Sequence, residues 1–202
     1  MSNTFDARAS TWDEDPGRLQ LAADIFSAIE KQIPLQPGFA ALDYGCGTGL
    51  LTFALAPRVR RITAVDSSRG MLDRLAQKQQ SSGLLNIDLL QSDFSTHPLP
   101  SGAYDLLTTA MTLHHVANVE QILRQFFSLL APGGFLALAD LDTEDGTFHS
   151  NSEGIHHFGF DRDTLARQLE ACGFGNLHFT TASRIQKHGR TYPVFLATAR
   201  KP

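Results

Sequence analysis

Three glycines follow a short apolar run in the sequence Ala40-Ala41-Leu42-Asp43-Tyr44-Gly45-Cys46-Gly47-Thr48-Gly49 (residues 40–49). The apolar run predicts a strand over 40–43, and residues 50–56 have the composition of a short helix that Pro57 ends. Glycine suits such a strand-to-helix turn, because the backbone must turn sharply and a ligand can approach it without meeting a Cβ. Glycines also occur in many such turns for backbone geometry alone, so the turn by itself leaves both interpretations open.

Short apolar runs and helical stretches alternate along the rest of the chain, which is typical of an α/β sheet covered on both faces. We predict strands at 40–43, 61–65, 87–90, 104–110, 135–139, 177–183 and 193–199, with helices at 18–31, 50–56, 69–80, 119–130 and 164–172. The first five strands alternate with helices and are expected to be parallel, whereas the short connection between the last two favours an antiparallel hairpin. Ligands of such sheets bind beyond the carboxyl ends of the strands, beside the first strand.

The overall composition is that of one ordinary globular domain. The chain has 202 residues, of which 42% are hydrophobic and 19% charged, and its net charge is −4. This charge argues against a nucleic-acid partner, which usually requires a clustered basic face. The sequence contains no apolar stretch long enough to cross a bilayer and no secretory signal, and its two cysteines lie far apart. We therefore expect a reduced, cytoplasmic protein without a membrane partner. The sequence leaves the oligomeric state open.

Acidic residues follow three successive predicted strands, at Asp43, Asp66 and Asp93. An acid two residues before the glycines would repel a pyrophosphate, and Leu50 stands where a dinucleotide-binding turn needs a small residue. A nicotinamide-dependent oxidoreductase is accordingly disfavoured. A carboxylate at Asp66 can accept hydrogen bonds from both hydroxyls of a ribose, and Asp93 with Phe94 suits an adenine ring. The alternatives are a helix-capping role for Asp66 and a plain loop position for Asp93.

With these motifs the chain resembles the class I S-adenosylmethionine-dependent methyltransferases, specifically the small bacterial type with a single domain. The resemblance rests on five stretches, which are Leu42-Asp43-Tyr44-Gly45-Cys46-Gly47-Thr48-Gly49, Val65-Asp66, Gln91-Ser92-Asp93-Phe94, Tyr104-Asp105-Leu106-Leu107 and Leu130-Ala131-Pro132-Gly133-Gly134. It implies a three-layer α/β sandwich whose seven-stranded, mostly parallel sheet has an antiparallel last strand. It also implies one methyltransferase domain over 1–202, with an amino-terminal cap and helix over 1–33, a cofactor-binding core over 40–140 and a carboxyl-terminal helix and strand hairpin over 141–202.

The resemblance implies S-adenosylmethionine as the cofactor and S-adenosylhomocysteine as its product. It assigns the methionine part to the glycine turn, the ribose to the acid after the second strand, and the sulfonium to the end of the fourth strand. Asp43 would face the ammonium, and Met71 would pack on adenine. The cofactor-binding residues implied in this way are Asp43, Gly45, Cys46, Gly47, Gly49, Asp66, Ser67, Met71, Asp93, Phe94, Ala110 and Met111. Residues 5–13 resemble a cap, and Trp12 within it and Arg18 just after it would close over the cofactor; the alternative is that both are plain surface residues.

Titratable side chains near the predicted strand ends are the candidates for a general base. His114 and His115 follow the fourth strand, and His156 lies before the last helix. His114 and His156 are the candidate catalytic residues, with a packing role as the alternative for each. Asp140 and Asp142, after the fifth strand, are further candidates. The spacing of the histidines gives no convincing ligand set, so no metal is expected.

The segment after the fourth predicted strand also bears on the methyl acceptor. Relatives that methylate amino groups of nucleic acids or of protein glutamine carry a D/N-P-P-Y-like tetrapeptide there, and cytosine-C5 enzymes carry Pro-Cys. This chain has Ala110-Met111-Thr112-Leu113-His114-His115 instead. Since the chain also has no basic patch, a small-molecule acceptor is favoured. Two alternatives stay open, a module that binds S-adenosylmethionine without catalysis and an enzyme directed at tRNA or rRNA.

Overall fold

The computed structural model describes residues 2–93 and 102–202 of the chain. Its strands are β1 (Ala40–Tyr44), β2 (Arg61–Asp66), β3 (Ile87–Gln91), β4 (Tyr104–Ala110), β5 (Leu130–Leu141), β6 (Gly175–Lys187) and β7 (Arg190–Arg200). Its α-helices are α1 (Ser2–Arg8), α2 (Pro16–Gln32), α3 (Leu50–Leu55), α4 (Arg69–Ser82), α5 (Val119–Leu129) and α6 (Arg162–Ala171). Short 3₁₀ turns lie at Ala9–Glu14, Ala56–Arg58 and Leu113–His115. From α2 onward, the α-helices and strands therefore follow one another in the order that the sequence predicts.

The seven described strands form one sheet in the order β3-β2-β1-β4-β5-β7-β6. Neighbours among β1 to β5 pair in parallel, and β7 pairs antiparallel with both β5 and β6. This confirms the mostly parallel sheet with an antiparallel last strand. The order of the strands reverses at β1, which has β2 on one side and β4 on the other. The carboxyl ends of β1 and β4 thus form the place where sheets of this kind bind ligands.

Alternate residues of the central strands face opposite sides of the sheet. Leu42 and Leu107 pack with α5 and α6 on one side, whereas Ala41 and Leu106 pack with α2, α3 and α4 on the other. The central strands are therefore buried on both faces, as is usual in parallel sheets. Burial of each such leucine stabilises the fold by about 1.5–3 kcal/mol. The predicted three-layer sandwich is confirmed, and its core fixes the strand ends that carry the acids.

Side-chain caps fix where α4 and α6 begin. Ser68 accepts a hydrogen bond from the N–H of Met71, and Asp161 accepts one from the N–H of Thr164. Such a cap satisfies an N–H group that has no partner inside the helix and stabilises it by about 1 kcal/mol.

Two parts of the sheet extend beyond their predicted bounds. β5 begins at Leu130, so Pro132-Gly133-Gly134 lies inside the strand rather than in a loop. The pairing of β4 with β5 is irregular at this point, and a Cβ on Gly134 would come within 2.9 Å of the carbonyl oxygen of Tyr104. Glycine in a strand often marks such a close backbone approach. β6 and β7 also run further, up to the turn His188-Gly189, where both residues have positive φ as in a two-residue hairpin turn.

The helices differ from the prediction mainly at the amino terminus. α1 and the 3₁₀ turn Ala9–Glu14 were not predicted as helical, because their sequence is too polar to show an apolar stripe. Within the described ranges, no helix combines the length and the apolar content that crossing a bilayer requires. The division of the chain into a cap, a core and a carboxyl-terminal region stays a prediction.

Candidate functional site

The three glycines form a tight turn between β1 and α3. Their φ angles are 69° at Gly45, 55° at Gly47 and 85° at Gly49, a region that residues with a Cβ rarely adopt. A Cβ on Gly45 would lie 2.3 Å from the side chain of Thr112. A Cβ on Gly49 would lie 2.8 Å from that of Leu75. A Cβ on Gly47 would meet no described atom within 4 Å. Close packing therefore requires the outer two glycines, and the middle one leaves the backbone open to approach.

Main-chain hydrogen bonds fasten the turn to β2. The N–H groups of Gly45 and Cys46 both donate to the carbonyl oxygen of Val65, at 2.8 and 3.0 Å. The side chain of Cys46 is buried, and burial together with the charges of Asp66 and Asp43 raises the pKa of its thiol well above the usual range. The thiol is therefore protonated at neutral pH and is not a nucleophile. The main chain of Cys46 forms part of the turn. The contact of Cys46 with the cofactor stays a prediction.

Asp66 lies at the carboxyl end of β2, between the glycine turn and α4. Its Oδ2 accepts a hydrogen bond from the N–H of Gly47, and its Oδ1 accepts one from the N–H of Ser68, each at 2.8 Å. Burial raises the pKa of the carboxyl group, although the N–H donors around it, Ser67 included, oppose this rise. Because Ser68 caps α4, the capping alternative for Asp66 does not apply. The roles of Asp66 and Ser67 toward the cofactor stay predictions.

Asp43 lies beneath the turn rather than on its surface. Its side chain is buried, Oδ2 accepts a hydrogen bond from the hydroxyl of Thr52 at 2.6 Å, and Oδ1 accepts one from that of Thr108 at 2.9 Å. Burial raises the pKa of Asp43 to about 6, although the two hydroxyls oppose the rise. Both carboxylate oxygens therefore join β1 to its neighbours α3 and β4. The contact of Asp43 with a ligand ammonium stays a prediction.

The titration of Asp43 is expected to make the stability of the protein pH-dependent. Its pKa of about 6 in the folded protein lies above the ordinary value of 3.8, so the protonated form favours folding. That stabilisation is complete below about pH 4 and is lost as the pH rises through 6. The native chain therefore loses about 3 kcal/mol of stability between about pH 4 and pH 7, whereas the Asp43→Asn variant has no carboxyl group there to titrate. Over this range, the free energy of unfolding of the variant should rise by about 3 kcal/mol relative to that of the native chain. Urea denaturation across this range measures the difference, and a constant difference would contradict the prediction.

Tyr44 lies near the two acids that were predicted to bind the nucleoside. Burial raises the pKa of its hydroxyl, and the charges of Asp93 and Asp66 raise it further, so both carboxylates lie near it. Sequence reasoning missed Tyr44, and the only available signal was a hydroxyl at the end of an apolar strand. Met71 is buried in the first turn of α4. Phe94 lies outside the described residues, so its place beside adenine stays a prediction, like those of Met71 and Asp93.

Polar contacts hold the amino-terminal segment against the glycine turn. Asp13 accepts hydrogen bonds from the hydroxyl of Thr48 and from the ammonium of Lys78, the latter at 2.7 Å. Asp6 accepts one from the hydroxyl of Ser68, the cap of α4, and this bond lowers the pKa of Asp6. Sequence reasoning missed these anchors, because Asp13 and Asp6 lie 35 and 62 residues from the hydroxyls that they bind.

Two guanidinium groups lie against the indole ring of Trp12 in this segment. That of Arg18 is 4.0 Å from the centre of the indole ring, and that of Arg8 is 4.9 Å from it. Arg18 also donates a hydrogen bond to the carbonyl oxygen of Trp12 at 2.9 Å. Both Trp12 and Arg18 are partly buried. Their closure over the cofactor stays a prediction.

The end of β4 lies against the glycine turn. The hydroxyl of Thr112 is 3.3 Å from the carbonyl oxygen of Gly45 and 3.0 Å from that of Ala110. Met111 has a φ of 54°, a strained conformation that is common at functional sites. Its N–H donates to the carbonyl oxygen of Ala139 at 2.8 Å, which holds the end of β4 against β5. Ala110 and Met111 are thus close to the turn, and their contact with the sulfonium stays a prediction.

His114 and Asp140 form a buried pair at the ends of β4 and β5. Nδ1 of His114 lies 2.7 Å from Oδ1 of Asp140, and the main-chain N–H of His114 donates to Oδ2 at 3.2 Å. Oδ1 also accepts a hydrogen bond from the N–H of Leu141 at 2.8 Å. Because the carboxylate accepts the proton on Nδ1, the basic lone pair of the imidazole is on Nε2. The sequence indicated both residues separately, but not their pairing.

Two further imidazoles lie beside this pair. The rings of His115 and His149 are 4.2 and 5.0 Å from that of His114. Burial lowers the pKa of both His115 and His149 to about 4, so both are neutral at pH 7. Nδ1 of His115 is 2.8 Å from the carbonyl oxygen of Gly154. Nε2 of His149 is buried and has no hydrogen-bond partner within the described part of the chain.

The side chain of the second candidate histidine, His156, is exposed. Its main-chain N–H donates to the carbonyl oxygen of His114 at 2.9 Å. Its catalytic role stays a prediction. Asp142 is held in an ion pair with Arg162, at 2.7 Å. Over residues 2–93 and 102–202, no three His, Cys, Asp or Glu side chains are placed to hold a metal ion.

The sequence and the fold are both similar to those of known methyltransferases. A family profile described as a methyltransferase domain matches residues 42–138. An uncharacterized methyltransferase of Schizosaccharomyces pombe is 26% identical over 80% of this chain and 62% of that protein. A ubiquinone biosynthesis O-methyltransferase of Marinobacter nauticus is 28% identical over 71% of this chain and 63% of that protein. The crystal structure of a SAM-dependent methyltransferase from Aquifex aeolicus matches with a TM-score of 0.73 at 21% identity, covering 98% of each chain. The chain spans 32% to 63% of the length of the curated relatives compared.

Proposed function

We propose that this chain, whose residues 42–138 match a methyltransferase domain and whose fold is that of class I methyltransferases, is an S-adenosylmethionine-dependent enzyme that transfers a methyl group to a small-molecule acceptor. One juxtaposition carries the proposal: a glycine turn that is open at Gly47 adjoins the buried His114–Asp140 pair. Thr112 links the two, because its hydroxyl contacts the turn and its main chain leads directly into the 3₁₀ turn that holds His114.

The turn and the acids around it fit S-adenosylmethionine. Gly47 leaves the backbone open to approach, and the carboxylates of Asp43 and Asp66 suit a ligand that carries ammonium and sulfonium charges. Tyr44 and Asp66 end neighbouring strands, where the nucleoside would be held. When bound, S-adenosylmethionine supplies an activated methyl group whose leaving group is a neutral thioether. The main task of the chain is then to align the acceptor and exclude water, which contributes up to about 7–11 kcal/mol in ideal cases.

The His114–Asp140 pair supplies a base for an oxygen or nitrogen acceptor. Asp140 holds the proton on Nδ1 and thereby fixes the tautomer and the orientation of the ring. Nε2 of His114 takes the proton that the acceptor atom loses as it gains the methyl group. The buried carboxylate stabilises the imidazolium that results. A positioned base of this kind contributes about 10²–10⁴-fold to the rate.

Three observations support a small acceptor over a macromolecule. The net charge of −4 is unfavourable for binding nucleic acid. The segment after β4 departs from the tetrapeptide of the enzymes that methylate amino groups of nucleic acids or protein. The relative from Marinobacter nauticus is named for ubiquinone biosynthesis. A cytoplasmic location is part of the proposal, and the buried free thiols of Cys46 and Cys172 support it.

Transfer of a labelled methyl group tests the proposal. The purified protein is incubated with labelled S-adenosylmethionine and a cell extract that has been separated by molecular size, with heat-inactivated protein as the control. We expect label in the low-molecular-mass fraction and a matching amount of S-adenosylhomocysteine. Label in RNA would instead support an RNA-directed enzyme. Cofactor binding with no label in any fraction would support a non-catalytic module, and either of these results would contradict the proposal.

Gly47 offers a matched test of the cofactor site. Gly47 and Gly83 have positive φ angles of 55° and 72°, and a Cβ at either position would meet no described atom within 4 Å. Alanine at either position is expected to lower the free energy of unfolding by about 1–2 kcal/mol. Only Gly47→Ala is expected to weaken the binding of S-adenosylmethionine, by about tenfold or more (about 1.4 kcal/mol). Isothermal titration calorimetry measures both affinities, and equal values for the two variants would argue that the ligand does not lie against Gly47.

A further inference from the structure

Aromatic rings and imidazoles form a continuous row beside the proposed base. The ring of Phe5 lies 6.0 Å from that of Trp12 and 5.2 Å from that of His115. The ring of His149 lies 6.1 Å from that of His115 and 4.8 Å from that of Phe148. The row therefore runs from the amino-terminal segment, past the end of β4, to the loop that follows β5.

A cation stands at each end of this row. The guanidinium of Arg8 is 4.9 Å from the centre of the Trp12 ring, and Nζ of Lys187 is 4.6 Å from the centre of the Phe148 ring. Nζ of Lys187 also donates to the carbonyl oxygen of Phe148 at 2.6 Å. Burial lowers the pKa of Lys187, and the charges of Arg8 and Arg18 lower it further. The cations at the two ends are thus near enough for their charges to interact.

These positive charges are only partly compensated. Asp15 lies 3.5 Å from the guanidinium of Arg18, and its charge partly offsets the effect of the arginines on Lys187. For Arg8 and Lys187, no carboxylate of the described residues lies within 4.0 Å. Neighbouring cations repel one another, and an anion bound between them replaces this repulsion with attraction.

The row also holds a hydrogen-bonding atom without a partner. Nε2 of His149 is buried and bonds to no atom of the described residues, whereas most buried polar atoms in proteins are paired. The ring of His149 lies 5.0 Å from that of His114, so this atom belongs to the surroundings of the proposed base. A polar group of a ligand that lies along the row would complete its bonding.

We propose that the methyl acceptor is a flat molecule with an anionic group, a carboxylate or a phosphate, that binds between Arg8 and Lys187. Its flat part lies along the row, a polar group meets Nε2 of His149, and its nucleophilic atom reaches His114. Guanidinium and ammonium groups are the side chains that bind carboxylates and phosphates best. This inference rests on the proposed function and adds to it a selection for charge, since an acceptor that lacks the anion binds weakly.

Separating the candidate acceptors by charge tests the inference. A low-molecular-mass extract is passed over an anion-exchange resin before it is offered to the protein with labelled S-adenosylmethionine. We expect acceptor activity in the fraction that binds the resin. Acceptor activity confined to the unbound fraction would overturn the inference and leave the proposed function intact. Methyl transfer to neither fraction would contradict both the proposed function and the inference. Phosphatase treatment of the bound fraction then separates the sources, since loss of activity indicates a phosphate and retention indicates a carboxylate.

The Lys187→Met variant tests whether Lys187 binds the anionic group of the acceptor. For this variant, the amount of resin-bound extract that gives half-maximal methyl transfer is expected to rise by about tenfold to a hundredfold. The affinity for S-adenosylmethionine is expected to stay unchanged. Lys187→Arg keeps the charge and is expected to retain most of the native response. Arg184→Met is the matched control, because Arg184 is exposed on the same strand and on the opposite face. A native response in Lys187→Met would overturn the assignment.

Discussion

Turnover by a His114→Gln variant is expected to fall by about 10²–10⁴-fold, with the affinity for S-adenosylmethionine unchanged. The variant keeps a polar side chain in the buried position but has no basic nitrogen to take the acceptor proton. Steady-state rates at saturating S-adenosylmethionine measure the loss, and calorimetry measures the affinity for the cofactor.

Two other histidines complete this experiment. His178→Gln is the control, because His178 is exposed on β6, outside the histidine cluster. His156→Gln tests the second candidate, whose side chain is also exposed. Native turnover in both His114→Gln and His156→Gln would remove both residues from the catalytic machinery. His114 would then be a structural histidine that fastens the end of β4 to β5.

Asp140→Ala is expected to lower the free energy of unfolding by about 3–5 kcal/mol. The Asp140 carboxylate is buried and accepts hydrogen bonds from Nδ1 and the main-chain N–H of His114 and from the N–H of Leu141. Its removal leaves these buried donors without an acceptor, and the cost of their lost hydration is then not offset. Urea denaturation at neutral pH measures the loss.

Asp142→Ala is the matched control for this effect. Asp142 is two residues further along the chain and forms an ion pair with Arg162, but both side chains are partly exposed. Water screens such a pair, so its loss is expected to cost only about 0.2–1 kcal/mol. Equal losses in the two variants would show that Asp140 is not the buried anchor that its contacts indicate.

Local sequence signals predicted those parts of the site that belong to one strand–turn–helix unit. The turn from Gly45 to Gly49 lies where the apolar run and the glycines place it, because strand, turn and helix are adjacent in sequence. The caps at Ser68 and Asp161 were predictable for the same reason, since a cap bonds to an N–H only three residues ahead. The parallel order of β1 to β5 followed from the alternation of strands with helices.

Contacts between distant parts of the chain could not be predicted in this way. The pairing of His114 with Asp140 spans 26 residues, and that of Asp6 with Ser68 spans 62, so only the assembled sheet and helices bring the partners together. A polar side chain gives no sign in the sequence of which distant donor it will meet. At Pro132-Gly133-Gly134 the local signal was misleading, because a strong turn signal lies inside β5, where the pairing with β4 is irregular.

The central claim is that the carboxyl ends of β1, β2 and β4 hold S-adenosylmethionine next to the base His114. A crystal structure of the protein with S-adenosylmethionine tests this claim most directly. We expect the methionine part against Gly47, the ribose at Asp66 and the sulfonium methyl directed toward the space beside Nε2 of His114. A ligand lodged at another edge of the sheet, or a methyl group directed away from His114, would contradict the claim.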